Sequence, residues 1–207
     1  MNPIEKLAEK FKEFPGIGER QAKRFVYFLL HKNPTYVKEL GDEILKIKNT
    51  IRQCPSCYLF FQKDDNTNSN LCTVCINENT DHTSLLIIEK DADYENIKRS
   101  KIYGGMYFVL GGLVPIVTKE TINFVRTKEL IKIVEDRIKN NKLKEIIIAF
   151  ALSPQGEHTD MYIRELLSKI KEIENVKISS LGRGLSTGSE LEYTDSETIK
   201  NALLNRN

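Results

Sequence analysis

The sequence predicts an α/β protein with three parts: a helical N-terminal module, a four-cysteine segment and a mostly parallel α/β domain. Three observations lead to this prediction. Apolar residues recur at helical spacing through the first 53 residues, all four cysteines follow within the next 22, and short apolar runs alternate with helical patterns from residue 85 onward. With 207 residues, 40% hydrophobic and 29% charged, the chain can bury a core without disulfides.

The first 53 residues have the apolar periodicity of three successive helices. The pair Asn33-Pro34 ends the second helix, because the residue before a proline avoids the helical region. We expect a domain boundary near Gln53. The three apolar stripes consist of Ile4, Leu7, Ala8 and Phe11; Ala22, Phe25, Val26, Leu29 and Leu30; and Val37, Leu40, Ile44, Ile47 and Ile51.

A bare turn precedes the second helix in the sequence FPGIGERQAKRF. Gly16 and Gly18 leave backbone N–H groups free of side-chain bulk at a helix start, where a phosphate oxygen can bind with help from the helix dipole. Arg20 and Arg24, one turn apart, can flank the same phosphate track, and Lys23 is a third candidate. Helix-hairpin-helix modules bind nucleic-acid backbones in this way, without reading bases. The alternative is an ordinary interhelical turn in which glycine supplies a positive φ.

The net charge of +2 is small, but the charge is unevenly distributed. Residues 1–53 contain 11 Lys or Arg against 7 Asp or Glu, so a basic excess lies in the module that carries the glycine turn. An excess of this size is also common on a solvated surface, and alone it supports a polyanionic partner only weakly. No apolar run approaches the roughly 20 residues that span a bilayer, and the N-terminus has no signal-peptide core, so we expect a cytoplasmic protein with no membrane partner.

The four cysteines form two C-x-x-C pairs, CPSC and CTVC, with 14 residues between the pairs. Two such pairs can supply four thiolates to one tetrahedral Zn²⁺ and leave no position for water, which makes the site structural. The alternatives are two disulfides, which a reducing cytosol disfavours, or a redox pair, which would not come doubled. We therefore expect one structural zinc ion per chain. Its ligands are Cys54, Cys57, Cys72 and Cys75.

From residue 85 the patterns predict a small α/β domain. Short apolar runs are typical of buried parallel strands, and helical periodicity appears between them. Near the end of the chain, Thr194 and Glu197 fit a capping box that begins a last short helix. Strands are predicted at 85–89, 106–110, 145–151 and 176–181, and helices at 127–140 and 156–171.

Glu89 ends the first of these strands and resembles a glutamate of the Toprim fold of topoisomerases and primases. In that fold the glutamate acts with a D-x-D pair at the end of a later strand, and together they hold Mg²⁺ for phosphoryl transfer. The later strand here runs into Ala-Phe-Ala-Leu-Ser at 149–153, where no side chain offers a carboxylate to a hard cation. Asp91 and Asp93 leave from the same strand end as Glu89. Glu89 and Asp93 are candidates for a residual Toprim or partner site, the alternative being solvated carboxylates.

Taken in order, these parts resemble the RecR family of bacterial recombination proteins, over essentially all 207 residues. The resemblance is carried by PGIGERQAKR, the paired C-x-x-C, IIEKDAD, YFVLGG and GRGLSTGSELEYTD, of which the last is the most specific. The sequence also departs from the family pattern. The N-P-T-x-E-G stretch is replaced by ALSPQG at 151–156, the usual L-D-G loop after Gly112 is missing, and the cysteine pairs lie further apart.

The resemblance implies both a fold and a function. The function is that of a non-catalytic, DNA-binding mediator of recombinational repair, a ring-like tetramer that works with RecO and RecF and helps RecA load onto gapped DNA. Two other classes stay open: a Toprim-type metal-dependent nuclease or primase-like enzyme, and a zinc-stabilised scaffold that binds only protein. The implied domains are a helix-hairpin-helix at 1–53, a four-cysteine zinc finger at 54–81, a Toprim-like domain at 82–181 and a C-terminal segment at 182–207.

Overall fold

The computed structural model describes residues 2–63, 69–116 and 125–181. The chain divides into two compact units, Met1–Arg52 and Gln53–Asn207. The predicted fold class is confirmed, since a helical module, a four-cysteine cluster and a parallel sheet with helices follow one another. The predicted capping box near the end of the chain lies outside the described residues. Among the described helices, none is both long enough and apolar enough to cross a membrane.

The first unit consists of helices α1 (Pro3–Lys12), α2 (Glu19–Leu30) and α3 (Pro34–Thr50). Asn2 and Asn33 begin α1 and α3, because each side chain accepts a hydrogen bond from a backbone N–H of the first turn. In both helices a proline follows at the first helical position, where its missing N–H costs nothing. α1 packs against α2 around the buried residues Ala8, Ala22 and Val26.

Helix α3 carries the predicted apolar stripe except Ile51, which is the C-cap and begins strand β1 (Ile51–Gln53) because its backbone is extended. The helix buries none of its 17 residues. Ile44 and Ile47, near the middle of the stripe, are 59% and 58% exposed. A helix of a globular domain normally packs such a stripe against a core. Within the described part of the first unit, α3 therefore presents an apolar face that no other element buries.

The second part of the chain alternates strands and helices. β1 (Ile51–Gln53) and β2 (Phe60–Gln62) form a two-stranded sheet, and β3 to β6 form a four-stranded parallel sheet in the order β4-β3-β5-β6. All four predicted strands are thus present. The remaining elements are α4 (Thr73–Ile76), β3 (Asp81–Ile88), α5 (Asp91–Ser100), β4 (Gly105–Val109), α6 (Thr127–Lys139), β5 (Glu145–Ala149), α7 (Pro154–Leu167) and β6 (Lys177–Ser180).

Both faces of the parallel sheet are covered. Successive side chains of a strand point to opposite faces, and β3 divides its apolar residues accordingly. Leu85 and Ile87 belong to one core together with residues of α6 and α7. Leu86 and Ile88 belong to a second core, which contains Cys54, the other buried cysteines and Tyr94 of α5. The cysteine segment is therefore a packed layer on the sheet.

Candidate functional site

The four cysteines form one cluster, with all four sulfur atoms within 4.8 Å of one another. The Sγ atoms of Cys54 and Cys75 are 3.7 Å apart, and those of Cys57 and Cys72 are 3.4 Å apart. A tetrahedral Zn²⁺ with Zn–S bonds of about 2.3 Å separates its ligands by about 3.8 Å. The sulfur atoms thus have the spacing of a tetrahedral thiolate site, and the clustering predicted from the sequence is confirmed.

Backbone hydrogen bonds fix the positions of these sulfur atoms. The N–H of Cys72 donates to Sγ of Cys54 at 3.4 Å, and the N–H of Tyr58 donates to the carbonyl of Cys54 at 2.9 Å. The hydrogen bonds with Cys57 and Cys72 lower the pKa of Cys54, whereas those with Cys54 and Cys72 raise the pKa of Cys57. Thiols packed this closely cannot all ionise unless a cation balances their charge.

Two long-range hydrogen bonds attach the cysteine segment to the α/β domain. The carbonyl of Cys57 accepts a bond from the N–H of Val109 at 2.9 Å, on the outer side of the edge strand β4. The carboxylate of Asp91, at the start of α5, accepts a bond from the N–H of Phe60 at 3.0 Å. The first contact pairs a backbone group on the edge of the sheet that would otherwise be open, and the second joins the cysteine segment to α5.

The glycine turn lies between α1 and α2, and its two glycines have different roles. Gly16 has a φ of 76°, which only glycine adopts without strain, so the turn itself requires this residue. Gly18 is the N-cap of α2, with a φ of −84° that any residue can adopt. A Cβ on Gly18 would meet no described atom within 4 Å outside its own turn. Among the described residues, neither a positive φ nor close packing requires glycine at position 18, although glycine is an acceptable N-cap residue.

The first turn of α2, which follows the glycine turn, has backbone N–H groups that are available as hydrogen-bond donors. Among the described residues, no side chain caps the helix, and the first backbone N–H with an acceptor is that of Ala22, which donates to the carbonyl of Gly18 at 2.9 Å. The earlier N–H groups of a helix have no intrahelical acceptor. The space beside Gly18 is free of described atoms, and the backbone N–H groups next to it lie at the positive end of the dipole of α2.

The three predicted basic residues are all exposed, but they differ in whether a carboxylate already neutralises their charge. Lys23 forms an ion pair with Glu19 at 2.8 Å, and this bond raises the pKa of Lys23. Arg24 donates to the neutral side chain of Gln21 at 3.2 Å. Arg20 forms no ion pair or side-chain hydrogen bond with the described residues. Arg20 and Arg24 therefore offer uncompensated charges one turn apart, and Lys23 is the weaker candidate.

The residues of the incomplete Toprim site lie at the carboxyl edge of the parallel sheet. Ile88 of β3 pairs with Ala149 of β5, so Glu89 and Phe150 follow at the same edge. Asp93 lies in the first turn of α5, and its carboxylate accepts a hydrogen bond from the N–H of Lys90 at 3.1 Å. Among the described residues, the four cysteines are the only group of three or more acidic, histidine or cysteine side chains able to hold a metal ion.

Sequence patterns did not identify the contacts of Asp91 and Tyr58. Asp91 bonds to a residue 31 positions earlier, a contact that no local pattern reveals. Tyr58 has a φ of 63° and its ring packs edge-on against Phe108, with ring centroids 5.4 Å apart. Its residue type gave no signal, because positive φ in turns is associated with glycine, asparagine and aspartate and not with tyrosine.

Three family models match the chain. The model described as RecR, helix-hairpin-helix matches residues 4–48, the Toprim domain model matches residues 83–181, and the model described as RecR, C-terminal matches residues 184–207. These matches cover the helical module that carries the glycine turn and the parallel sheet.

Curated relatives named recombination protein RecR match almost the whole chain. The protein of Ureaplasma parvum serovar 3 is 33% identical over 98% of this chain and 94% of its own length. The protein of Lactobacillus acidophilus is 32% identical over 99% and 96%, and that of Brachyspira hyodysenteriae is 31% identical over 98% and 95%. With the helical module, the cysteine cluster and the parallel sheet in the same order, the chain belongs to the RecR family of recombination proteins.

Proposed function

We propose that this chain is a DNA-binding mediator of recombinational repair that performs no phosphoryl transfer itself. The observation that carries the DNA-binding part is the open side of Gly18. A glycine that neither the backbone conformation nor internal packing requires, at an uncapped helix start, is accounted for by an external group that approaches the backbone closely. A phosphate fits the donors of the helix and the charges of Arg20 and Arg24.

The proposed interface consists of Gly16, Gly18, Arg20, Arg24 and, with a smaller share, Lys23. Backbone N–H groups and arginines contact phosphates without regard to base sequence. We therefore expect sequence-independent binding, which suits a mediator that acts wherever a gap occurs. Within the family, such a mediator works with RecO and RecF and helps RecA load onto gapped DNA, and we extend these partners to this chain.

One zinc ion per chain, held by the four cysteines, completes the proposal. Four thiolates leave no open coordination position, so the ion supplies folding energy and no catalysis. The cluster belongs to the same core as Leu86 and Ile88 of the sheet. Loss of the metal should therefore disturb the α/β domain as well as the segment 54–81, although the two are proposed as separate domains.

We also propose that the chain associates with itself, as the ring-like tetramer of the family implies. The supporting observation is α3, whose apolar stripe is left exposed by the described residues of the first unit. Contiguous exposed apolar surface of this kind commonly marks an interface between proteins. A second copy of the same chain would cover it in a closed assembly.

A salt-dependent titration tests the DNA-binding part. Purified protein is titrated into fluorescently labelled duplex and gapped DNA of two unrelated sequences, between about 50 and 200 mM salt, and anisotropy gives the binding constant. We expect similar affinity for both sequences and a linear fall of log K with log salt. Absence of binding at the lowest salt would favour the alternative of a zinc-stabilised scaffold that contacts only protein.

The enzyme alternative has its own test. Catalysis on a phosphate requires several oxygen ligands that converge on a cation, and Ala149 and Phe150 stand where the second strand should supply them. Incubation with Mg²⁺ or Mn²⁺ and with supercoiled, linear or primed DNA should leave every substrate intact. Nicking or synthesis that disappears in a Glu89→Gln variant would instead establish a Toprim enzyme.

A further inference from the structure

Arg137 is a cation in a place where helices normally carry apolar residues. It lies on α6 between buried Val134 and buried Ile138, at the spacing that continues the stripe from Leu130. The side chain is half-buried, and its one hydrogen bond with the described residues is a long one, from Nη1 to the carbonyl of His82 at 3.5 Å. It forms no ion pair with a carboxylate of the described residues. A charge withdrawn from water normally has a partner of opposite sign.

The cysteine segment is the neighbour that can supply this opposite charge. Arg137 lines a groove together with Pro55, Ser56 and Tyr58, which belong to or follow the first C-x-x-C pair. Glu129 and Asp136 of α6 line the same groove, but neither forms an ion pair with Arg137. Cys75 packs against the core that contains Val134 and Ile138, the buried residues on either side of Arg137 in the stripe of α6. Residues of the first C-x-x-C pair line the groove, so both pairs lie near Arg137. Burial lowers the pKa of Arg137, and ionised thiolates at Cys75 and Cys57 would act in the opposite direction.

A zinc ion with four thiolates has a net charge of about −2, which is costly in a partly buried position. We propose that Arg137 is a positioning residue of the zinc site, whose guanidinium offsets this net negative charge and thereby slows loss of the metal. The inference rests on the proposed zinc content. The long hydrogen bond from Arg137 to the carbonyl of His82 does not explain the positive charge, because a neutral amide could make that bond equally well.

Two substitutions separate charge from hydrogen bonding. Arg137→Lys keeps the positive charge and loses the planar guanidinium, whereas Arg137→Gln keeps an N–H donor and loses the charge. Lys132→Gln is the matched control, since Lys132 lies on the same helix and lines the same groove but is exposed. An exposed charge is screened by water and salt, so its removal should have little effect.

The experiment measures zinc release from the full-length protein. Zinc per chain is first determined by mass spectrometry, and the metal is then withdrawn by an excess of a chromogenic chelator, with folding checked beforehand by circular dichroism. Replacement of groups next to metal ligands typically weakens metal binding by about 10–100-fold. We expect zinc loss to be faster by about tenfold or more in Arg137→Gln, close to wild type in Arg137→Lys and unchanged in Lys132→Gln.

The outcomes distinguish the two proposals. Wild-type protein without zinc refutes the zinc site itself, and with it this inference. Zinc present in the wild type but lost at the same rate from Arg137→Gln overturns the role of Arg137 alone, as does equal acceleration in the Lys and Gln variants. A Gln variant that cannot be purified folded, beside a normal Lys variant, supports the charge effect, whereas failure of both to fold would show that shape matters instead.

Discussion

Replacing Arg20 and Arg24 together by alanine tests the proposed DNA interface most directly. Both side chains are exposed, and neither forms an ion pair with the described residues. Their removal should therefore change the free energy of unfolding by less than about 0.5 kcal/mol. Any loss of DNA binding then reports the interface and not the stability of the helical module.

The expected loss of DNA affinity follows from the number of positive charges that are removed. Each phosphate contact contributes about 0.9 to the slope of log K against log salt, so two lost contacts per chain lower the slope by about 1.8. At about 0.1 M salt, this change corresponds to roughly 60-fold weaker binding for each chain that contacts the duplex. The loss should be equal for unrelated sequences, because phosphate contacts carry no base information.

Anisotropy titrations at four or more salt concentrations measure this slope. The control is the double variant Lys10→Ala and Lys12→Ala, which removes the same charge from the same module. Each of these lysines pairs with a glutamate at 3.1 Å, so their charges are already compensated. We expect the control to bind almost as the wild type does. An unchanged slope in the arginine variant, or an equal loss in the control, would refute the reasoning and make the glycine turn purely structural.

Four further predictions concern the metal, the two glycines of the turn and the assembly. Cys57→Ser should contain no zinc by metal analysis and should be partly unfolded by circular dichroism, since zinc binding worth on the order of 10–16 kcal/mol is coupled to folding; a normally folded variant would contradict this. Gly18→Ser should keep or raise the melting temperature, because its hydroxyl can cap α2, yet weaken DNA binding at an unchanged salt slope. Gly16→Ala, by contrast, should lose about 1–2 kcal/mol of stability, because its φ is 76°. Ile44→Glu should lower the mass seen in sedimentation, and an unchanged mass would place the contact elsewhere.

Strong apolar periodicity made most of the fold predictable. The helices of the first unit and the four parallel strands were all predicted from this signal, and helix α6 matches its predicted range within one residue. Helix α7 begins two residues earlier than predicted, at Pro154, because the side chain of Ser153 accepts a hydrogen bond from the N–H of Gly156 and caps it. The pair Ser153-Pro154 is the sequence signal for this helix start, since serine is a common N-cap and proline is common at the first helical position.

Helix α5 was missed because its sequence, DADYENIKRS, contains few apolar residues. Its formation depends on contacts that a periodicity search does not detect. Asp93 bonds back to the N–H of Lys90, and the ring of Tyr94 packs edge-on against Tyr107 of β4, with centroids 4.9 Å apart. The second contact joins residues that are neighbours only after the sheet has formed, so tertiary packing selects this helix.

The candidate sites were predictable where they depend on local sequence spacing and not where they depend on the folded structure. The spacing of the cysteines fixed their clustering, because each C-x-x-C pair is a local turn and two pairs make one tetrahedral site. The contrast between Gly16 and Gly18 required backbone angles and surrounding space. The ion pair of Lys23 with Glu19 follows from their spacing of four residues, which is a recognisable helical pattern.

The carboxylates near the Toprim glutamate already have structural partners, and this favours a mediator over an enzyme. Asp91 accepts a hydrogen bond from the N–H of Phe60, and Asp93 accepts one from the N–H of Lys90. If Asp91 turned to a Mg²⁺ ion, it would release β2 of the cysteine segment from α5, so metal binding and attachment of this segment compete for one carboxylate. Glu89 would remain without a facing acid on β5, and a hard cation needs several oxygen ligands at once. An aspartate that follows Glu89 thus holds β2 of the cysteine segment against α5, and a cation bound at this edge would have to compete with that contact.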